Sequence, residues 1–168
     1  MNGPVMVGPV LFGADDMVAA FVKARIPHMQ NSDFGQFTAL GVVRDGTLLG
    51  GVVYNNYNHH DIHASYAFDS PKWCTRSVLR TLFAYPFKQL GCVRMTAIIG
   101  RKNKHARKMI DRLGFKLEGT CRKAADGHTD AMIYGLLARE CKWFQPGDAV
   151  SHPAPRLAAA TQYHATVQ

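Results

Sequence analysis

His59, Asp61 and His63 stand at alternate positions, so a strand running through them turns two imidazoles and a carboxylate to one face. Imidazole is the side chain suited to take up and return a proton near neutral pH. The trio also admits a metal reading, although three ligands on one short strand rarely close a site. Just upstream, Tyr54-Asn-Asn-Tyr-Asn-His-His60 interleaves rings and amides, a composition that can hold a base or a sugar. Charge supplies a further chemical feature. Between Lys72 and Lys123 lie 14 of the 20 Lys and Arg but only Asp111 and Glu118 of the 12 acids, which makes this a phosphate-seeking segment or, more plainly, a solvated helix face.

The stretch 103–124 carries the strongest pattern in the chain. Asn103 is a good N-cap, and Ala106, Met109, Ile110 and Leu113 follow at the spacing of one helical face. Gly114 provides the left-handed stop, and Phe115 and Leu117 then point one way from a strand, so that helix and strand share a core.

Asn103, Ala106, Leu113, Gly114 and Phe115 resemble the Asn-x-x-Ala/Ser…Leu-Gly-Phe signature of the GNAT superfamily of CoA-dependent N-acyltransferases. Glu118-Gly119, Arg122, Gly127, Asp130, Tyr134, Glu140 and Trp143 are similar to the branch that includes the ribosomal-protein N-terminal acetyltransferases. The resemblance implies a mixed α/β (α+β) fold with about six to seven strands, splayed central parallel strands and helices on both faces. It also implies acetyl-CoA as cofactor and an amine as acceptor: a small molecule, a protein N-terminus or an amino group on a nucleic acid.

By that resemblance, Phe68, Trp73, Cys74, Thr75, Arg76, Ser77, Asn103 and Arg107 are the expected cofactor-binding residues. The family's glycine-rich phosphate loop is here Ser70-Pro-Lys-Trp-Cys-Thr-Arg-Ser77, without a glycine, so hydroxyls, a cation and helix-start amides must hold the anion. The oxyanion donor falls near Tyr66 to Phe68. The family's base is often a Glu on that strand, yet no Glu precedes Leu117; Asp61 and His63 are the nearest substitutes. Ile110 stands where a Tyr would protonate the leaving thiolate, which leaves Tyr54, with Tyr57, as the candidate by proximity. A DNA-modifying or nucleic-acid-binding protein on a degenerate scaffold is the alternative.

The elements that must position these groups alternate as in an α/β chain. Expected are a strand over 5–12, a helix from Asp15 or Asp16 to Arg25 with Met17, Phe21 and Ala24 inward, and strands 37–44 and 47–54 joined by an Asp45-Gly46 type I′ turn. A strand at 61–68 follows, then a helix buried through Val78, Leu79, Leu82, Phe83 and Phe87 and disturbed by Pro86, a strand at 93–99, and a last hairpin around Asp126-Gly127. Residues 1–144 read as one domain and 145–168 as a flexible or loosely docked tail.

With 168 residues, 47% of them hydrophobic, the chain can bury a sizeable core. It has no apolar run long enough for a membrane span and no basic n-region, which points to a cytoplasmic protein, and no metal site is expected. Four cysteines without CxxC spacing read as reduced thiols. A homodimer would cover exposed strand edges.

Overall fold

The computed structural model describes residues 3–29, 32–145, 147 and 156–157. Its strands are β1 (Val5–Val7), β2 (Val10–Phe12), β3 (Phe37–Arg44), β4 (Thr47–Asn55), β5 (His63–Phe68), β6 (Arg94–Gly100), β7 (Lys116–Cys121) and β8 (Ala131–Leu137). They form one eight-stranded mixed sheet in the order β1-β2-β3-β4-β5-β6-β8-β7, in which only β5 and β6 run parallel. The helices are α1 (Asp15–Arg25), α2 (Arg76–Ala84) and α3 (Lys104–Leu113).

Local chemistry explains most of the boundaries. Asp45 and Gly46 both have positive φ, as a type I′ turn requires, and pair Arg44 with Thr47. The expected first strand is instead a hairpin, because Gly8 at φ +56° followed by Pro9 turns the chain between Val7 and Val10. Proline also shapes the end of α2. Pro86 has no N–H, and the helix widens into a π turn over Tyr85–Gln89, in which Leu90 N–H reaches back five residues to Tyr85 O.

Two layers of helix cover the sheet. On one face α1 packs over β3, β4 and β5, but through Asp15, Val18, Ala19 and Val22 rather than the expected stripe; Met17 is 53% exposed. The inward residue that sequence periodicity misses is Asp15, whose carboxylate accepts the Ala39 N–H at 2.8 Å. On the other face Val78, Leu79, Leu82 and Phe83 of α2 and Ile110 and Leu113 of α3 share a core with Leu40, Val52, Met95 and Tyr134. Phe115 joins it, but it precedes β7 and its N–H closes the end of α3 on Ile110 O, so it does not alternate with Leu117, which is 51% exposed.

Close backbone approach at β4 sets the site. A Cβ on Gly50 would collide with the main chain of Ala67 and Phe68 in β5, and one on Gly51 with Val18 of α1. These two glycines therefore let α1, β4 and β5 stack without a spacer.

Of the expected tail, only Gln145, Gly147, Arg156 and Leu157 lie among the described residues. Leu157 is buried and its N–H donates to Thr38 Oγ1 at 2.8 Å, while Arg156 pairs with Asp16 at 3.2 Å. All four cysteines are free thiols. Among the described residues no helix is long and apolar enough to cross a membrane.

Candidate active site

The parallel strands β5 and β6 share a single register pair, His63 with Thr96, and separate beyond it. The main-chain directions along β5 follow from two hydrogen bonds. Ile62 O accepts from Thr96 N–H on the β6 side, and Asp69 N–H donates to Leu49 O on the β4 side. Alternation then turns the N–H and C=O groups of Tyr66 and Phe68 toward β6, into a gap that no strand fills.

Two adjoining cavities occupy that gap. One, of about 300 Å³, lies toward α1 and is lined by His28, Phe34, Asn56, His63, Ser65 and Tyr66 among others. The second, of about 620 Å³, opens at the strands' C-terminal ends between Phe68, Lys102, Asn103, His105 and Met109. Tyr66, Gly100, Asn103 and Ala106 belong to both, so the two form one cleft. A tight apolar space of about 40 Å³ beneath Tyr66 and Phe68 continues toward Trp73, Leu79 and Ile110.

His63 faces the smaller lobe at the start of β5. Asp61 Oδ2 lies 3.9 Å from its Nε2, and the Asn56 side-chain amide lies 3.4 Å from its Nδ1. With the Asn56 NH₂ as donor, the neutral ring is assigned its lone pair on Nδ1 and its proton on Nε2, on the carboxylate side. Asp61 itself is tied down. Thr96 Oγ1 lies 2.9 and 2.8 Å from its two oxygens, and Arg94 Nε is 3.4 Å away. His59 stays outside this group, its ring tilted at 55° against Tyr57 at 5.1 Å between centroids, with φ +74°. Among the described residues no three His, Cys, Asp or Glu side chains are gathered to hold a metal ion.

Tyr54 is removed from the site. It is 1% exposed, its hydroxyl donates to Leu82 O at 2.7 Å, and it packs edge-on to Tyr85; burial holds its phenol well above the usual range. It is a core side chain joining β4 to α2. Tyr57 is likewise committed, to Leu90 O at 3.3 Å. The phenol in the cleft is Tyr66, whose hydroxyl spans to Ala106 O of α3 at 3.0 Å and is kept protonated by burial, with Tyr134 adding to the effect. The alternation of Ala64, Tyr66 and Phe68 along β5 is the signal that marks it.

The expected cofactor residues divide. Phe68 and Asn103 line the larger lobe, and Asn103 also caps α3 through Oδ1 to Ala106 N–H at 3.1 Å. Trp73 is buried and stacks on Phe68 at 3.8 Å between centroids and 6° between planes. Thr75 caps α2, accepting from Val78 N–H at 3.3 Å, and Arg76 and Ser77 stand exposed in its first turn; none of Cys74 to Ser77 lines the cavities above. Arg107 is drawn off elsewhere, with Nε on Tyr134 Oη at 3.0 Å and Nη1 on Arg101 O at 3.2 Å. It braces α3 against β8 and the end of β6.

No family model and no curated sequence matches the chain. Solved structures do. A probable acetyltransferase is 27% identical with a TM-score of 0.54, over 61% of this chain and 62% of its own, so this chain spans less than two thirds of that relative. A spermidine/spermine N-acetyltransferase from Vibrio cholerae is 17% identical with a TM-score of 0.54, over 66% of this chain and 70% of its own. A ribosomal-protein-S5-alanine acetyltransferase from Vibrio fischeri is 14% identical with a TM-score of 0.58, over 86% of this chain and all of its own. The single-pair parallel junction of β5 and β6 and the Asn103-capped helix beside it belong to a fold that this chain shares with these acetyltransferases.

Proposed function

We propose that the protein transfers an acetyl group from acetyl-CoA to an amine. The observation that carries this reading is the set of unpaired main-chain groups of Tyr66 and Phe68, which face the gap between His63 on one wall and the Tyr66 hydroxyl on the other. An extended amide chain entering the gap finds the partners a neighbouring strand would have offered. The residues at the start of α2 fit a phosphate group in kind, since Arg76 is a cation and the first-turn amides of a helix favour an anion.

Bound acetyl-CoA supplies the activated acyl group. A main-chain N–H of Tyr66 or Phe68 donates to the carbonyl oxygen as negative charge gathers on it. The amine displaces the Asn56 amide from Nδ1 of His63, which takes its proton there, with Asp61 beside Nε2 to balance the charge the ring acquires. The Tyr66 hydroxyl, turned from Ala106 O, donates a hydrogen bond to the departing thiolate sulfur, the part that Ile110 cannot play. Asn56 holds the His63 ring at the start of this sequence.

The acceptor is an amine of a small molecule or a protein. The neighbours named for spermidine/spermine and for a ribosomal-protein alanine are both amine acetyltransferases. A nucleic-acid acceptor has less behind it, because Arg94, Arg101, Arg107 and Lys116 of the basic segment are held by partners within the fold. The test is a saturable thermal shift with acetyl-CoA, lost in Arg76→Glu, followed by acetyl-dependent thiol release across a panel of amines. The absence of any shift at millimolar acetyl-CoA overturns the proposal.

A further inference from the structure

Glu118 stands on β7, three strands away from His63 in the order of the sheet, yet an unbroken set of polar contacts joins them. Arg94 Nη2 donates to Glu118 Oε2 at 2.9 Å and to Thr96 Oγ1 at 2.9 Å, while Arg94 Nε donates to the same hydroxyl at 3.1 Å. Thr96 Oγ1 accepts from the guanidinium and so spends its one proton on Asp61. Asp61 then faces His63 Nε2. Every member is partly shielded, with side-chain exposures of 20% for Asp61, 28% for Arg94 and 40% for Glu118.

Two backbone features are fitted to this arrangement. Lys116 pairs with Gly135, so alternation along β7 sets the Glu118 side chain on that same, α1-side face, over Gly135 of β8, where the bulge between Leu117 and Gly119 falls. Gly135 leaves the room: a Cβ there would collide with the Glu118 carboxylate. Without Glu118, Arg94 has only Asp61 as a charged partner and can draw that carboxylate away from the imidazole. With Glu118 in place, the guanidinium is anchored from outside and Asp61 stays where the imidazole meets it.

We propose that Glu118 is a positioning residue that acts through Arg94 and Thr96 to hold Asp61 against His63. The inference rests on His63 as the base, and its test does not. The ring nitrogens of His63 are followed by two-bond ¹H–¹⁵N correlation on the full chain, a readout that needs no substrate. Wild type shows the Nε2–H tautomer; Glu118→Ala and Gly135→Ala both convert it to a mixed population, whereas Glu118→Gln, which keeps an acceptor for Arg94, retains it. Gly135→Ala leaves every charge in place and so separates position from charge. In parallel, Glu118→Ala lowers kcat about tenfold with KM for the amine unchanged, the size expected of a slightly misplaced group. An unaltered His63 pattern in both Glu118→Ala and Gly135→Ala overturns the inference. Altered patterns in a protein that transfers no acetyl group uphold it and refute the enzymatic reading instead.

Discussion

The two faces of β5 are built from six consecutive residues and could hardly differ more. Toward α1 point His63, Ser65 and Ala67, polar or small, bordering the lobe in which Asn56 and His28 also stand. Toward α2 and α3 point Ala64, Tyr66 and Phe68, set against Trp73, Leu79 and Phe83. In a fully paired sheet these faces would never meet. Here β6 leaves β5 after one register pair, and the gap brings His63 of one face and Tyr66 of the other to the wall of one cavity, where the proposed reaction would use both. A splayed strand pair thus converts ordinary strand alternation into a two-sided site.

Removing the α1-side half should break this comparison most severely. His63→Ala is expected to lower kcat by about 10²-fold or more, within the range that general base catalysis contributes. Acetyl-CoA binding should be unchanged, since His63 lines the smaller lobe and not the larger. Steady-state kinetics beside a thermal-shift titration reads both, and a His63→Ala enzyme with wild-type turnover would remove the base from this site.

The opposite half is expected to be the more tolerant. Thiolate is a tolerable leaving group, so Tyr66→Phe should cost only about tenfold in kcat, below the usual contribution of a positioned acid. Tyr54→Phe sharpens the contrast, because Tyr54 and Tyr66 both face the α2 side of adjacent strands. Loss of its hydrogen bond to Leu82 O should remove about 1 kcal/mol of stability in urea unfolding and leave kcat within about twofold. Equal kinetic losses in both variants would mean that neither phenol acts chemically.

Tyr54 and Tyr66 also mark how far the chain can be read without coordinates. The α3 motif was legible to its ends: Asn103 caps, Gly114 at φ +104° stops, and Ile110 and Leu113 are buried. Those outcomes are governed by neighbours in sequence, as are the Asp45-Gly46 turn and the apolar face of α2. The strand expected at 61–68 begins at His63, which leaves Asp61 in the preceding loop, yet the two lie in one region as read. What escaped depends on long-range packing. Tyr54 and Tyr66 look alike in sequence, and only the placement of α2 against β4 and of α3 against the gap makes one a core residue and the other a cleft residue. The stripe of α1 was displaced because Asp15, polar in type, is drawn inward by the Ala39 N–H. Arg107 and Arg94 left the basic face for the same kind of reason: Tyr134 and Glu118 lie far away in sequence.

The smallest expected effect concerns acid, and it discriminates between the same two sides of the cleft. Arg25 at the end of α1 grips Asp69, just past β5, with Nε at 2.6 Å and Nη2 at 2.8 Å, and lies over the Phe21 ring. That hydrogen-bonded guanidinium holds the Asp69 carboxyl below its ordinary value of 3.8. On the far rim the Lys123 N–H, and then Arg101, hold Asp130 below the same value. A carboxyl lowered in the folded state contributes stability that is fully present above its unfolded value and is lost as pH falls through its folded one. Thermal midpoints should therefore be flat above about pH 5 and decline below about pH 4. Both carboxylates are solvated, so each share is slight. Asp69→Asn should lower the midpoint at neutral pH and flatten its acid limb, and it should loosen the α1 side alone: hydrogen exchange should quicken at 21–28 and stay unchanged in α3. Parallel pH curves for the variant and wild type would show that the Arg25–Asp69 pair does not hold α1 to β5, and that the two walls of the cleft are kept in place by packing alone.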